Sequence, residues 1–276
     1  MAWIEGFRGK TVVVTGASSG IGRTTAVAFG AAGARVALMA RRRALLDEVA
    51  AEIAARGGTG HAIACDVTSR TQVAACFEEI GCALGAIDVV VNNAGVLVPG
   101  DVATLREEDL DAMLRVNLFG ALFVMQEAVA RMRAQGGGVV VNVGSLAGRR
   151  GIAPLGGYCA TKFALVGLTE ALRTELAGEP VHVALVMPGV VDTPMVETTG
   201  HDPDFLELWP AALNMPPSWV VWAIFAAARF RLVEVSVPPG ATTVEKLAAL
   251  APGVADRLVG WAKAASAWLA DAGTAR

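Results

Sequence analysis

Short runs of apolar, mostly β-branched residues alternate along the chain with longer stretches in which apolar residues recur at helical spacing. The apolar runs are continuous, without a polar residue at every second position, which is typical of strands covered by helices on both faces. These runs are TVVVT, RVALM, HAIAC, IDVVV, GVVVNV and VHVALV. Their alternation with helices predicts an α/β fold built on a doubly wound parallel sheet.

Helices are predicted between these strands. They end near Ala32, Arg56 and Leu84, and two more span residues 107–135 and 158–177. No linker rich in proline or serine and no internal repeat interrupts the alternation. Residues 1–276 are therefore expected to form a single domain.

Two segments depart from this pattern. Residues 193–218 are rich in proline and irregular, yet apolar, and are predicted to form a lid over the substrate. Their large apolar residues either contact an apolar substrate or pack within a short helix; they are Phe205, Leu206, Trp209, Leu213 and Met215.

Residues 242–276 are predicted to form a helical C-terminal extension. One apolar stripe is expected along it, formed by Leu250, Val254, Leu258, Trp261, Ala265 and Trp268. A helix lying on a bilayer should be rich in Lys and Arg on its polar face, and only Arg257 and Lys263 are near. We therefore expect the stripe to pack on the protein body or on a neighbouring subunit.

The bulk composition excludes several classes of function. A formal net charge of −3, with acidic and basic residues interspersed, gives no basic field that could neutralise a nucleic-acid backbone. The first residues lack the basic segment and apolar stretch of an export signal, which predicts a cytoplasmic protein. The most apolar stretch, 219–228, is about half of the ~20 residues that cross a bilayer, so a buried helix is predicted there and a membrane partner is disfavoured.

Metal and disulfide sites are also disfavoured. The four cysteines, which are Cys65, Cys76, Cys82 and Cys159, show no CxxC pairing and are predicted to be reduced thiols in the core. No two histidines are spaced i, i+4, as a metal site on one helix would require.

A glycine-rich turn, TGASSGIG, directly follows the first predicted strand and opens the first helix. Gly16, Gly20 and Gly22 can adopt positive φ and let the backbone approach a pyrophosphate closely at the helix N-terminus. The alternative is an ordinary helix start capped by Ser18 or Ser19. The position at the first βα junction favours a dinucleotide site.

The end of the second strand indicates which dinucleotide is bound. A carboxylate about 20 residues after the glycines would bind a free ribose 2′-hydroxyl. Here Arg41 and Arg42 occupy that place, and guanidinium groups pair well with a 2′-phosphate. NADP(H) is therefore predicted, with NAD(H) as the less favoured cofactor; the alternative is that these arginines are solvated loop residues. Asp66, after the third strand, is expected either to bind the adenine amine or to cap the helix that begins near Ser69.

Candidate chemistry surrounds the only tyrosine of the chain. Tyr158 and Lys162, in YCATK, are one helical turn apart and share a face, so both can reach the same substrate and the cofactor ribose, which Lys162 is expected to hold. Ser145 ends the preceding strand. Tyr158 is a candidate general acid/base and Ser145 a candidate partner for a carbonyl oxygen. A phenol with a pKa near 10 is a weak acid at neutral pH, so Lys162 and the charge of oxidised nicotinamide are expected to lower that pKa to about 7. The alternative is a surface tyrosine beside a solvated lysine.

Asn117 is a polar residue in an apolar stretch of the long helix 107–135. A buried amide must find hydrogen-bond partners. Asn117 is expected either to support a proton-relay water or to be a satisfied amide of the core.

These motifs together resemble the short-chain dehydrogenase/reductase family. The resemblance covers residues 11–194 and rests on TGASSGIG, DVT at Asp66, NNAG at 92–95, Asn117, Ser145, YCATK and PGVVDTP from Pro188. It implies a seven-stranded Rossmann-type sheet, a Ser-Tyr-Lys centre joined by the helical asparagine, and dimers or tetramers formed through the two long helices. Further cofactor contacts implied are Ile21, Val67, Asn93, Ala94, Gly95, Pro188, Gly189, Val191 and Thr193, of which Val191 and Thr193 would hold the nicotinamide carboxamide.

The predicted function is an NADP(H)-dependent oxidoreductase that moves a hydride between the cofactor and a carbonyl or secondary alcohol, with an apolar small molecule as substrate. Two alternatives remain: a catalytically silent NADP-binding module, and a membrane-associated enzyme of lipid metabolism. Arg149 and Arg150 would suit an acidic substrate, although exposed arginines need no such reason.

Overall fold

The computed structural model describes residues 4–199, 214–254 and 257, and in it the apolar runs form a parallel seven-stranded sheet. The strands are β1 (Thr11–Thr15), β2 (Arg35–Ala40), β3 (Thr59–Ala64), β4 (Val89–Asn92), β5 (Gly138–Val143), β6 (Val181–Pro188) and β7 (Glu234–Val237). They lie in the order β3-β2-β1-β4-β5-β6-β7. The direction of winding therefore reverses between β1 and β4, and the predicted doubly wound fold is confirmed.

Helices cover both faces of this sheet. They are α1 (Gly20–Ala31), α2 (Arg43–Ala55), α3 (Arg70–Leu84), α4 (Glu107–Leu114), α5 (Ala121–Gln135), α6 (Gly156–Glu175), α7 (Pro194–Thr199), α8 (Pro217–Phe230) and α9 (Ala241–Ala248). A π-helical turn, Arg115–Gly120, joins α4 to α5, so the predicted helix over 107–135 is continuous but contains one wider turn. The helices predicted between the strands are confirmed, with shifts of a few residues at their ends.

Successive strand residues point to opposite helix layers. Val12 and Val14 belong to a core with α1, α2 and α8, whereas Val13 belongs to a core with α3, α5 and α6. All three valines have no exposed surface. This two-sided burial explains why the strands are apolar at every position.

One helix of the described residues, the continuous 107–135 segment, is long and apolar enough to cross a membrane by length and composition alone. Core helices of globular domains pass the same test. Here Val124, Ala128 and Met132 have no exposed surface and belong to the core beneath the sheet. The shorter apolar helix α8 is likewise buried on one side, as predicted, although Trp219 and Trp222 are exposed on the other.

The C-terminal extension is described only in its first part. There α9 ends at Ala248 and Pro252 follows, which cannot continue the hydrogen-bond pattern of a preceding helix. Leu250 and Val254, the described members of the predicted stripe, are exposed and contact no core. Leu258, Trp261, Ala265 and Trp268 lie outside the described residues.

Two smaller expectations also change. Met215, assigned to the lid, is buried in the core with α8, and its backbone pairs with Val190 and Asp192; the other apolar lid residues lie outside the described part. Cys82 is exposed, whereas the other three cysteines are buried as expected.

Candidate active site

The glycine turn lies at the carboxyl end of β1, where the winding of the sheet reverses. Gly16 has φ +67°, and a Cβ there would stand 2.9 Å from Asn93 Nδ2, while a Cβ on Gly22 would collide with the carbonyl oxygen of Gly16. Glycine is thus required both for the backbone conformation and for the close approach of α1 to the loop after β4. The N-terminal N–H groups of α1 therefore open onto a narrow cleft that suits a phosphate.

A threonine that the sequence analysis did not select fixes the opposite wall of this cleft. Thr15 Oγ1 accepts the backbone N–H groups of Asn93 at 2.9 Å and Ala94 at 3.0 Å. Asn93 Nδ2 in turn donates to the carbonyl oxygen of Thr15 at 3.0 Å. The NNAG loop is thereby joined directly to the end of β1, which holds Asn93, Ala94 and Gly95 along the cleft.

The arginine at the end of β2 reaches back over the glycine turn. Arg42 donates from one guanidinium nitrogen to Ser18 Oγ at 3.1 Å and Ser19 Oγ at 3.4 Å. Ser19 stands at the N-cap position of α1, but neither it nor Ser18 caps the helix through its side chain. These hydroxyls therefore do not form the ordinary helix cap that was the alternative to a dinucleotide site.

Asp66 lies farther along the same cleft. Its carboxylate accepts from the backbone N–H of Thr68 at 3.0 Å and from the Thr68 hydroxyl at 2.8 Å. The cap of α3 is instead Ser69, whose hydroxyl accepts from the N–H of Gln72. The capping alternative for Asp66 is therefore wrong.

The cleft assembles most residues predicted to bind a cofactor. Its walls are Gly16, Ser18, Ser19, Gly20, Ile21, Arg41, Arg42, Asp66, Val67, Asn93, Ala94, Gly95 and Thr193, together with Ala40, Cys65, Val96, Val116, Pro194 and Met195, which the sequence analysis did not assign. Gly22 lies beneath the turn and does not line the cleft. The cleft thus combines glycine backbone, two arginines and one carboxylate, a set that fits a phosphorylated dinucleotide.

A second cavity begins where this cleft ends. It contains Ser145, Tyr158 and Lys162, and also Pro188, Gly189 and Val191 at and after the end of β6. Both spaces share five residues as walls, which are Ile21, Asn93, Gly95, Thr193 and Met195. A ligand that extends from the cleft past these shared walls would enter the cavity that contains the tyrosine.

Tyr158 and Lys162 are buried, so the surface alternative is wrong. Tyr158 is 9% exposed, Lys162 is 4% exposed, and the Lys162 nitrogen lies 5.6 Å from the centre of the Tyr158 ring. Tyr158 forms a hydrogen bond with Ser145, and the Lys162 ammonium donates to the carbonyl oxygen of Val143 at 3.1 Å. The three polar groups thus meet at the carboxyl end of β5.

The expectation that the pKa of Tyr158 is lowered does not hold for the protein alone. Burial raises the pKa of Tyr158 to about 12, and the hydrogen bond from Ser145 offsets only part of this rise. Burial also lowers the pKa of Lys162 to about 8. Withdrawal from water disfavours both charged forms, and it outweighs any attraction between the ammonium and the phenolate.

Lys162→Met is expected to remove a pH-dependent part of the stability of the cofactor-free protein. The pKa of Lys162 is about 8 in the folded state and 10.5 as the ordinary value, so the folded protein loses this proton first. Below pH 8 the ammonium is buried at a cost, and this cost disappears as the pH rises. Wild type should therefore gain on the order of 2 kcal/mol over the variant between pH 7.5 and 9.5, measured by urea unfolding. Parallel pH profiles for the two proteins would contradict the burial of a charged Lys162.

Asn117 lies in the π-helical turn and is almost completely buried. Its oxygen accepts from the N–H of Val96 at 2.8 Å, and its nitrogen donates to the carbonyl oxygen of Val96 at 2.9 Å and to Thr161 Oγ1 at 3.0 Å. The side chain is thus a satisfied core amide that joins the loop after β4 to α6. Since the side chain is already hydrogen-bonded, a proton-relay water would have to bind another group of this π-helical turn. The proton-relay role of Asn117 stays a prediction.

Neither predicted arginine contact with substrate is found in the cavity. Arg149 is 16% exposed and donates to Glu170 at 2.7 Å and to Glu234 at 2.6 Å. Arg149 and Arg150 are not among the residues that line the cavity. The cavity instead includes Glu245 of α9, a residue without any sequence motif to indicate it.

Comparison with known proteins agrees with this arrangement. The short chain dehydrogenase family model matches residues 10–204. The chain is 40% identical over 202 residues to the probable oxidoreductase EphD of Mycobacterium tuberculosis, a match that covers 72% of this chain and 34% of that protein. The chain thus spans about a third of the length of this relative.

A second relative and a solved structure match over a larger share of their length. Sorbitol dehydrogenase of Cereibacter sphaeroides is 40% identical over 185 residues, 67% of this chain and 71% of that protein. The crystal structure of a short chain dehydrogenase/reductase from Burkholderia phymatum in complex with NAD is similar, with a TM-score of 0.82 and 25% identity, over 90% of this chain and 95% of that one.

Proposed function

This chain belongs to the short-chain dehydrogenase family, and on that basis we propose that it transfers a hydride between NADP(H) and a carbonyl or secondary alcohol on an apolar small molecule. The observation that supports this most strongly is the continuity of the two spaces. The cleft of glycines and arginines ends at the walls that it shares with the cavity of Ser145, Tyr158 and Lys162. A dinucleotide held in the cleft would have its reactive end beside the tyrosine.

The preference for NADP(H) rests on Arg41 and Arg42. Both line the cleft, and Arg42 is held over the glycine turn by two serine hydroxyls. No carboxylate occupies the end of β2, where a free ribose 2′-hydroxyl would need one. The bound NAD in the Burkholderia phymatum structure is a property of that protein. Two guanidinium groups favour the 2′-phosphorylated form here.

Each polar group of the cavity has a distinct role in this proposal. NADP(H) supplies or accepts the hydride. The Tyr158 hydroxyl, which is hydrogen-bonded to Ser145, donates its proton to the substrate oxygen during reduction. Ser145 orients that oxygen through its hydroxyl. Lys162 supplies a positive charge that stabilises the phenolate left behind, and the charge of the oxidised cofactor adds to it.

The substrate class is inferred from the cavity of this chain and not from its relatives. The name of one relative, sorbitol dehydrogenase, refers to a polyol, which is a property of that protein. Apart from the catalytic groups, the walls are mostly apolar; they include Leu97, Leu146, Ile152, Leu155, Val190 and Val196. Such walls stabilise apolar ligands by removing their surface from water. The substrate is therefore proposed to have an apolar skeleton next to the reacting carbonyl.

We also propose a homodimer or homotetramer formed through the two long helices. Phe119, in the turn between α4 and α5, is 47% exposed, and Phe163 on α6 is 45% exposed. Large apolar side chains left in water on both helices support an interface at this surface.

The direct test is binding of NADPH and NADH to the purified protein, followed by the fluorescence of its six tryptophans. We expect NADPH to bind at least tenfold more tightly than NADH, and NADPH absorbance to fall when apolar ketones are added. Equal affinities would contradict the arginine assignment, whereas binding of neither nucleotide would overturn the proposed function.

A further inference from the structure

The topology of the sheet places α9 beside the substrate. β7 is parallel to β6, so its carboxyl end lies at the same edge of the sheet as the cleft and the cavity. The turn Pro238–Gly240, in which Gly240 has φ +82°, reverses the chain, and α9 begins at Ala241. The helix then packs against β7 and against the turn Leu146–Gly148 that follows Ser145.

A partly exposed network of ion pairs and a hydrogen bond holds α9 in this place. Thr242 is 6% exposed, and its hydroxyl is hydrogen-bonded to Glu234 of β7. Lys246, one turn later, pairs with the same carboxylate at 2.9 Å. Arg149 pairs with Glu234 on its other side at 2.6 Å. Because Thr242 and Lys246 both face Glu234, the rotation of α9 about its axis is determined.

This rotation brings Glu245 to the wall of the substrate cavity. Glu245 is partly buried and lines the cavity together with Ser145 and Tyr158. Among the described residues of that wall, Lys162 is the only other charged one, and its ammonium donates to the carbonyl oxygen of Val143. Within the described part of the chain, the side chain of Glu245 has neither an ion-pair nor a hydrogen-bond partner. Glu245 thus adds an unpartnered carboxylate to a wall in which the other polar side chains are Asn93, Ser145, Tyr158, Lys162 and Thr193.

From this geometry we infer that Glu245 is a specificity-determining residue, which accepts a hydrogen bond from a hydroxyl or ammonium group that the substrate bears away from its reacting carbonyl. The inference rests on the proposed function, because it names the substrate class of the same site. A carboxylate among apolar walls binds a donor strongly, and an ammonium more strongly than a hydroxyl. The same charge repels carboxylate and phosphate groups, so acidic substrates are excluded.

The test compares four ketones that differ only at one remote position. These are acetophenone and its 4-hydroxymethyl, 4-aminomethyl and 4-carboxy derivatives. Their Kd for the complex of the enzyme with NADPH is measured by tryptophan fluorescence, and KM and kcat by nicotinamide absorbance. For wild type we expect the aminomethyl and hydroxymethyl ketones to bind roughly tenfold or more tightly than the carboxy ketone, with the difference in Kd and KM and little change in kcat.

Two variants separate charge from hydrogen bonding at this position. Glu245→Gln, which keeps an acceptor oxygen, should lose roughly tenfold in affinity for the aminomethyl ketone and change little for the hydroxymethyl ketone. Glu245→Ala should lose the preference for both, while acetophenone stays within about twofold of wild type. Glu107→Gln is the matched control, because it removes the same charge from an exposed position on α4 that does not line the cavity.

Each outcome bears on the inference separately from the proposed function. If both Glu245 variants bind NADPH and rank the four ketones as wild type does, the inference is overturned. It is also overturned if the wild-type complex binds neither donor-bearing ketone more tightly than acetophenone. Failure of NADPH binding in the same titration would instead contradict the proposed function. Thermal unfolding with NADPH present shows whether each variant is folded, and the isosteric Gln variant remains informative if the Ala variant is not.

Discussion

Tyr158→Phe is expected to lower kcat by roughly 10²–10⁴-fold, the range that one general acid/base contributes. The substitution removes only the hydroxyl that bonds to Ser145 and leaves the ring, which packs with Met113 and Leu155. The fold and the cleft should therefore be preserved, with the Kd for NADPH within about threefold of wild type. Steady-state assays of ketone reduction measure kcat, and fluorescence titration with NADPH measures Kd on the same preparation.

Comparison with Ser145→Ala makes this prediction specific. That variant leaves Tyr158 as proton donor but removes its hydrogen bond, so a smaller loss in kcat is expected than for Tyr158→Phe. A loss of less than tenfold in Tyr158→Phe would show that the phenol is not the proton donor. If the protein binds NADPH and neither variant changes any other measurable property, the chain is a silent NADP-binding module.

The fold and the cofactor cleft could be predicted because they depend on local rules. Continuous apolar runs predict strands buried on both faces, and Val12 to Val14 show this directly. The glycine turn was identifiable because Gly16 and Gly22 tolerate no side chain where the chain approaches itself. Arg42 follows from its place at the end of β2, although its bonds to Ser18 and Ser19 could not be foreseen.

The parts that sequence reasoning missed depend on contacts between distant segments. Burial raises the pKa of Tyr158 in the protein alone, and because a motif does not reveal burial, this effect was not part of the expectation. The side chain of Asn117 is hydrogen-bonded to Val96 and Thr161, and neither residue is near Asn117 in sequence. Glu245 enters the cavity only because β7 is parallel and Glu234 fixes the rotation of α9. No local pattern contains that information.

Replacing Arg41 with Asp and Arg42 with Ala is expected to weaken NADPH binding by about 100-fold or more. Each guanidinium bond to a phosphate contributes roughly 1.5–3 kcal/mol, and two such losses correspond to at least two factors of ten. Asp at position 41 also repels a 2′-phosphate and supplies the carboxylate that a free 2′-hydroxyl prefers. NADH binding should therefore be retained or improved. Fluorescence titrations with both nucleotides at one fixed salt concentration measure the two changes.

Arg43→Gln is the control that separates a specific contact from a general loss of positive charge. Arg43 is adjacent in sequence, but its guanidinium pairs with Asp47 at 2.8 Å on the surface of α2 and does not line the cleft. A charge in solvent should change NADPH affinity little, because exposed charges are screened by salt. If Arg43→Gln weakens NADPH binding as much as the double variant does, only the overall positive charge at this edge of the sheet determines NADPH affinity. If the double variant loses NADPH and NADH equally, the arginines support the glycine turn through Ser18 and Ser19 and do not recognise a 2′-phosphate.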